Sequence, residues 1–225
     1  MSNSPIEFAR TERLEISVPH GHLEARLEEP EGETVGGALL CHPHPQYSGN
    51  MNTKALYHLT RAFNKFGWIT LRFNFRGVGA STGSYDGGEG ERADARAALT
   101  ELEEQIELSE GSLVCGGFSF GSAVGLRVGY ESGIVDGLVG IGVPVSLAEF
   151  DYLRQDSRPL LIIQGSEDSF GSPEAVGDVL NADRDNVDFH VLNGSEHLFS
   201  GYFDELREAV GDFFESGSGS VLIPS

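Results

Sequence analysis

Short apolar runs alternate with segments of helical periodicity along the chain from Gly36 onward. The apolar runs include GGALLC, WITLRFNF, SLVCGGF, VDGLVGIGV and PLLIIQG. Between them, segments such as TKALYHLTRAFNKFG place an apolar residue at every third or fourth position, as an amphipathic helix does. Continuous apolar runs are typical of strands buried on both faces, and their alternation with helices favours a parallel sheet. The pattern predicts an α/β fold.

The N-terminal part of the chain follows a different pattern. RLEISV and HLEARLEEP flank the turn sequence PHG and predict a β-hairpin. Together the segments predict a mostly parallel, twisted sheet of about eight strands with helices on both faces. No linker or repeat divides residues 1–215, which we expect to form a single domain, and residues 216–225 form a C-terminal tail. About 14 residues separate VDGLVGIGV from PLLIIQG, which is too few for a large lid domain.

The charge of the chain excludes two classes of partner. Thirty-five acidic residues oppose 15 basic ones, so that the formal net charge is −20. A field of this sign repels nucleic acid and anionic membranes, and we expect neither as a partner. Lys54 and Lys65 are the only lysines, and the other basic residues are arginines. This composition resembles that of proteins from extreme halophiles, in which salt screens the repulsion between carboxylates.

The sequence predicts a cytoplasmic location. No apolar stretch approaches the roughly 20 residues that a membrane-spanning helix needs. The N-terminus, MSNSPIEFARTERLE, lacks the basic and then apolar layout of a signal peptide. Cys41 and Cys115 both lie in apolar runs, as reduced core thiols do. Whether the chain forms a homo-oligomer is left open.

The pentapeptide GFSFG, residues 117–121, gives the clearest chemical signal. It lies between the strand-like SLVCGG and the helix-like GSAVGLRV, which is the context that the G-x-S-x-G motif requires. There, a tight turn holds Ser119 in strained dihedral angles at the start of a helix. The free N–H groups and the dipole of that helix end favour a developing negative charge. We therefore predict that Ser119 is a nucleophile.

A serine nucleophile needs a base, and the base needs an acid that orients it. The order expected on this type of sheet is serine, then acid, then histidine. Asp168 follows the strand PLLIIQG, and His197 follows the strand VDFHVL. Both therefore lie at the carboxyl ends of strands, where α/β sheets place their sites. Glu167 and Glu196 are competing candidates for the acid, after Asp168.

The stretch HPHPQYSGN follows the strand GGALLC directly and contains two histidines, His42 and His44. A zinc site needs a third protein ligand, and no cysteine, aspartate or glutamate is clustered with this pair. We therefore predict no metal here. Because proline fixes φ and has no N–H, the stretch is interpreted as a stiff turn.

These motifs together resemble those of the α/β-hydrolase superfamily, and specifically of its small, lidless serine hydrolases from bacteria and archaea that carry an HPHP motif. The resemblance is carried by HPHP at 42–45, FNFRGVGAS at 73–81, GFSFG around Ser119, GSED ending at Asp168 and SEH ending at His197. It covers nearly the whole chain. One departure is Ser48–Gly49, where relatives often have two glycines.

The resemblance also implies an oxyanion hole made of two backbone N–H groups. One belongs to Phe120, the residue after the nucleophile, and the other to the loop after GGALLC. Proline residues on that loop have no N–H, so the donor is His44 or, as alternatives, Gln46 or Tyr47, the last through its N–H or its hydroxyl.

The expected function is that of a serine hydrolase, similar to esterases or thioesterases, that cleaves a small acyl ester through a Ser-His-Asp triad and an acyl-enzyme. Its expected partner is a small-molecule acyl substrate, and no cofactor is implied. Two alternatives stay open. One is a peptidase or amidase acting on small substrates, and the other is a hydrolase-fold protein that binds a ligand without cleaving it.

Overall fold

The computed structural model describes residues 10–106 and 111–223. Its eight strands form one sheet in the order β1-β2-β4-β3-β5-β6-β7-β8. The first two neighbouring pairs in this order are antiparallel, and all the others are parallel. The predicted hairpin and the mostly parallel sheet are confirmed. The strands are β1 Arg10–Val18, β2 Gly21–Glu29, β3 Gly36–Cys41, β4 Trp68–Phe73, β5 Ser112–Phe118, β6 Gly137–Ile141, β7 Leu160–Gly165 and β8 Val187–Leu192.

Five helices cover the two faces of the sheet in the described part of the chain. They are α1 Lys54–Lys65, α2 Glu89–Gln105, α3 Phe120–Glu131, α4 Pro173–Leu180 and α5 Phe203–Glu215. The helices α1 and α5 contribute to one buried apolar cluster, and α2, α3 and α4 contribute to another. No helix among the described residues is long and apolar enough to cross a membrane.

The position of β5 in the middle of the sheet explains why its sequence is apolar at nearly every position. Leu113 and Cys115 belong to the cluster on one face, whereas Val114 and Phe118 belong to the cluster on the other. Successive side chains of a strand point to opposite faces, so that a strand covered on both sides must be apolar throughout. Burial of each large apolar side chain stabilises the fold by about 1.5–3 kcal/mol.

The segment between β6 and β7, residues 142–159, has no lid domain. All of it is described, and its only regular element is the short 3₁₀ turn Asp151–Gln155. Phe150 and Leu153 of this segment are fully buried in the core. This segment therefore places no lid over the carboxyl edge of the sheet, and Ser119, after β5, is partly exposed.

The end of the chain packs against the domain as far as residue 223. Ser218–Leu222 forms a 3₁₀ turn that contacts α5, and Leu222 is buried in the apolar cluster beneath that helix. The Ser218 N–H donates to Asp188 Oδ2 at 2.8 Å. This part of the predicted tail is thus docked, whereas residues 224–225 lie outside the described residues.

Candidate active site

Ser119 lies between β5 and α3, in the strand–turn–helix context that the sequence predicts. Its φ of 57° and ψ of −122° are strained values for a residue with a side chain. The Ser119 N–H donates to Ile141 O at 3.0 Å, which anchors the turn on β6. A side chain on Gly117 or Gly121 would clash with the carbonyl oxygen of Cys41. The two glycines of the motif therefore let the turn pass close to the end of β3.

The structure brings the three predicted catalytic residues into one chain of hydrogen bonds. His197 Nε2 lies 2.8 Å from Ser119 Oγ, and His197 Nδ1 lies 2.7 Å from Asp168 Oδ2. The Asp168 side chain is fully buried, and the His197 ring is mostly buried. One ring nitrogen of His197 therefore faces the nucleophile, and the other faces a carboxylate that is shielded from water.

Both oxygens of Asp168 accept further hydrogen bonds. The Phe170 N–H donates to Oδ1, and the Gln164 side-chain amide donates to Oδ2, each at 2.9 Å. Gln164 was not found by the sequence analysis. Its only local signal is that it is the one polar side chain in the strand LLIIQG.

The competing acid candidates lie elsewhere. Glu167 and Glu196 are both exposed. Among the described residues, the only carboxylate within ion-pair distance of His197 is that of Asp168. Glu167 and Glu196 instead line a small surface cavity, together with Gly194, Leu198, Ser200 and Tyr202. The geometry therefore favours Asp168 as the partner of His197.

The His197 ring is held in place by apolar neighbours. Its centroid lies 4.6 Å from that of Phe170 and 5.2 Å from that of Phe118. Gly142, at a φ of 56°, allows the backbone to pass close by, since a Cβ there would lie 3.2 Å from His197 Cε1. Phe170 is 39% exposed, so that it forms part of the surface next to the site.

His42 is buried at the end of β3 and uses both ring nitrogens within the protein. Nδ1 lies 2.6 Å from Pro43 O, and Nε2 accepts a hydrogen bond from the Phe75 N–H at 3.0 Å. Burial lowers the pKa of His42 to about 4, so the ring is neutral and donates through Nδ1. It is not free to bind a metal. Across the described residues, no group of three or more histidine, cysteine, aspartate or glutamate side chains is arranged to hold one.

Two of the predicted oxyanion donors, Gln46 and Tyr47, already donate their N–H groups within the loop after His42. Pro45–Tyr47 forms a 3₁₀ turn in which the Gln46 N–H donates to His44 Nδ1 at 3.2 Å. The Tyr47 N–H donates to His44 O at 3.1 Å. Within the described part of the chain, the N–H groups of His44 and Phe120 have no hydrogen-bond acceptor.

The departure at Ser48–Gly49 has a structural counterpart. Ser48 adopts a φ of 64°, in the left-handed region that glycine occupies more easily. Gly49 packs so closely on the backbone of Pro43 that any side chain would clash there. The second glycine is therefore required by packing, whereas serine at the first position accepts some backbone strain.

Aromatic rings surround His44 beside the nucleophile. We call the set His44, Tyr47, Tyr85 and Phe120 the aromatic surface. The His44 centroid lies 4.9 Å from those of Tyr47 and Phe120 and 5.0 Å from that of Tyr85. Tyr47 is 83% exposed, so that the surface is open to solvent. The sequence analysis did not single out Tyr85, which lies in the glycine-rich loop before α2.

Buried polar contacts hold that glycine-rich loop against α2. Arg76 makes a bidentate ion pair with the buried Asp94, with distances of 3.0 Å from Nε to Oδ2 and 2.7 Å from Nη2 to Oδ1. The Gly88 N–H donates to Glu91 Oε2 at 2.7 Å. These contacts fix both ends of the segment that carries Tyr85.

Comparison with known proteins shows the family to which the chain belongs. A family model described as an alpha/beta hydrolase domain matches residues 47–205. The chain belongs to the α/β-hydrolase superfamily. The fold of this hydrolase is similar to that of an alpha-beta serine hydrolase homologue from Coxiella burnetii, with 36% identity and a TM-score of 0.81 over 92% of this chain and 98% of the other.

Two further relatives cover most of the chain. XC6422 from Xanthomonas campestris, described as an a/b serine hydrolase without lid, is 28% identical with a TM-score of 0.82 over 99% of each chain. The uncharacterized protein RP471 of Rickettsia prowazekii is 33% identical over 203 residues, which are 87% of this chain and 85% of that protein. The chain is thus a hydrolase enzyme of the α/β-hydrolase type, and the predicted absence of a large lid is confirmed.

Proposed function

We propose that this hydrolase is a serine esterase or thioesterase that cleaves a small acyl ester through an acyl-enzyme. The observation that carries the proposal is the chain of hydrogen bonds from Ser119 through His197 to Asp168, with distances of 2.8 and 2.7 Å. A nucleophile, a base and an acid in this geometry form the arrangement that acyl transfer requires.

The first half of the reaction forms the acyl-enzyme. Ser119 Oγ attacks the ester carbonyl carbon while His197 Nε2 takes the hydroxyl proton. The Asp168 carboxylate stabilises the imidazolium and holds its Nδ1–H in place. When the tetrahedral intermediate collapses, the bond from the carbonyl carbon to the leaving oxygen, or to the leaving sulfur of a thioester, breaks, and His197 gives the proton to that atom. The products are an alcohol, or a thiol from a thioester, and acylated Ser119.

The second half releases the acid. Water enters the open site, His197 Nε2 takes one of its protons, and the water oxygen attacks the acyl carbon. The bond to Ser119 Oγ breaks, and His197 returns the proton to that oxygen. The enzyme regains its starting protonation state, and the net reaction consumes one water for each ester.

The proposed oxyanion hole consists of the N–H groups of Phe120 and His44. Phe120 is the first residue of α3, where backbone N–H groups have no partner within the helix. The N–H groups of Gln46 and Tyr47 already donate within the loop, which leaves that of His44. Loss of one such donor typically lowers the rate by about 10²–10³-fold.

The aromatic surface and the charge of the protein indicate the class of ester. Phe120 belongs to this surface and directly follows the nucleophile, so that a substituent of the carbonyl can lie against the rings. The formal net charge of −20 repels anionic substrates. We therefore favour an uncharged ester or thioester with an apolar group.

Labelling with a fluorophosphonate probe tests the proposal. We expect one phosphonylated residue, Ser119, and no adduct in Ser119→Ala, while the control Ser157→Ala reacts like the unchanged protein. A folded protein that gives no adduct would support the non-catalytic ligand-binding alternative. Parallel assays with p-nitrophenyl esters and aminoacyl amides distinguish an esterase from a peptidase or amidase.

A further inference from the structure

A buried glutamine lies behind the proposed catalytic acid. Gln164 is in β7, four residues before Asp168, and its side chain has no solvent exposure. Its amide nitrogen donates to Asp168 Oδ2 at 2.9 Å and to Gly171 O at 2.8 Å. Its amide oxygen accepts from the Val143 N–H at 2.8 Å. Three hydrogen bonds thus fix a side chain in a place where leucine or isoleucine would be usual.

These partners determine the orientation of the amide. If its oxygen and nitrogen were exchanged, the oxygen would face the carboxylate of Asp168 and the carbonyl of Gly171. The NH₂ group would then face the Val143 N–H. All three contacts would become repulsive, so that only one orientation satisfies the buried groups.

The two loops that Gln164 joins both lie next to His197. Val143 follows Gly142, whose backbone passes next to the imidazole. Gly171 follows Phe170, whose ring packs on the imidazole and whose N–H binds Asp168 Oδ1. One side chain therefore connects the acid, the backbone next to the ring and the loop whose phenylalanine packs on the ring.

We infer that Gln164 is a positioning residue that holds Asp168 Oδ2 in line with His197 Nδ1. The same oxygen accepts from Gln164 and from His197, so that the amide fixes the direction of the lone pairs that the imidazole meets. The inference rests on the proposed function, because it assigns Gln164 a role in that reaction. Gln164 does not touch the reacting atoms.

Gln164→Leu is the direct test. The variant places an apolar side chain of similar size in the strand, and this side chain cannot donate to Asp168. Loss of a group that hydrogen-bonds to a metal ligand and orients it typically costs about 10–100-fold in affinity or activity. By analogy, we expect kcat for a p-nitrophenyl ester to fall about 10–100-fold. KM should change less than about twofold, because no substrate contact is lost. We also expect loss of the far-downfield proton NMR signal of the His197 Nδ1–H.

Asn64→Leu is the matched control for lost stability. Asn64 is another buried amide, which donates to Glu28 O at 3.1 Å and to Trp68 O at 2.6 Å, on the α1 side of the sheet. Its loss should destabilise the fold without changing the NMR signal or kcat. A general loss of stability would affect both variants alike, whereas a positioning role affects only Gln164→Leu.

Gln164→Glu adds a pH-dependent readout. A protonated glutamic acid donates to Asp168 as the amide does, whereas the ionised form places a second carboxylate against it. The titratable groups that face this position are Asp168 and, beyond it, His197. Burial and the neighbouring carboxylate raise the pKa of such a glutamic acid. The kcat of this variant relative to the unchanged protein should therefore fall as the pH rises.

The outcomes separate the two claims. An unchanged NMR signal and kcat in folded Gln164→Leu would overturn the positioning role, even if Ser119 reacts with the fluorophosphonate. The NMR signal needs no turnover. Its selective loss in Gln164→Leu would therefore support the positioning of Asp168 even if the unchanged protein proved to have no esterase activity.

Discussion

Two hydrogen bonds occupy both ring nitrogens of His42, one from the backbone after β4 and one to the backbone of its own loop. The ring thereby joins the ends of β3 and β4 below the loop that carries His44. His42 therefore has a structural role. Its neutral form is required, because a proton on Nε2 would repel the Phe75 N–H.

The titration of His42 gives a prediction about stability. Burial lowers its pKa from 6.5 to about 4, so the folded protein excludes a proton that the unfolded chain binds. The stability that neutral His42 contributes to the fold is fully present above pH 6.5. It is lost as the pH falls from 6.5 to about 4. The loss amounts to about 3 kcal/mol. Urea unfolding of the protein and of His42→Asn between these pH values measures it.

We expect His42→Asn to be less stable at neutral pH, because at least one buried hydrogen bond is lost, at about 1–3 kcal/mol. The free energy of unfolding of the variant should also depend less on pH between 4 and 6.5. Equal pH dependence in the two proteins would contradict the structural role of the neutral ring.

At the scale of elements, the site is assembled where the carboxyl ends of β3, β5, β7 and β8 meet. Each local feature could be predicted, because a turn after a strand and before a helix has its own sequence signal. Ser119, Asp168 and His197 were predicted in this way. Gln164 and Tyr85 were not, since their importance depends on which loops meet in space. The direction of each N–H after His42 depends on a 3₁₀ turn that two prolines do not specify by themselves.

The loop after β3 and the glycine-rich loop together form the aromatic surface, which predicts a preference for acyl-chain length. We expect Tyr47→Ala to lower the ratio of kcat/KM for p-nitrophenyl hexanoate to that for the acetate by roughly 3–10-fold, because the longer chain loses apolar contact. Tyr130→Ala, which removes an exposed tyrosine on α3, is the control. An unchanged ratio in Tyr47→Ala would place the acyl chain elsewhere.

At the scale of the whole molecule, the mostly parallel sheet and the helices on both of its faces could be predicted from the alternating pattern of the sequence. The docking of Leu222 could not be predicted, because the glycines and serines before it resemble a flexible tail.

The charge is a property of the entire surface. Even if each of the 15 basic residues paired with one of the 35 acidic residues, 20 negative charges would remain unpaired, as the net charge of −20 states.

This surplus predicts that salt stabilises the protein. Added ions screen the repulsion between carboxylates, which is relieved when the chain unfolds and expands. We expect Tm to rise between about 0.1 and 2 M KCl, with most of the rise below about 1 M, where the Debye length shortens to about 3 Å. Sucrose at matched osmolality is the uncharged control. A Tm that is constant or falls with KCl would count against salt adaptation.

Intact-protein mass spectrometry after rapid acid quenching of a p-nitrophenyl ester reaction tests whether Ser119 forms an acyl-enzyme. We expect a transient mass increase equal to that of the acyl group, located on Ser119 and absent from Ser119→Ala. His197→Ala, which keeps the serine but lacks the base, should form the adduct far more slowly. Continued hydrolysis by Ser119→Ala at the rate of the unchanged protein, or an acyl group on a different residue, would contradict the proposed mechanism.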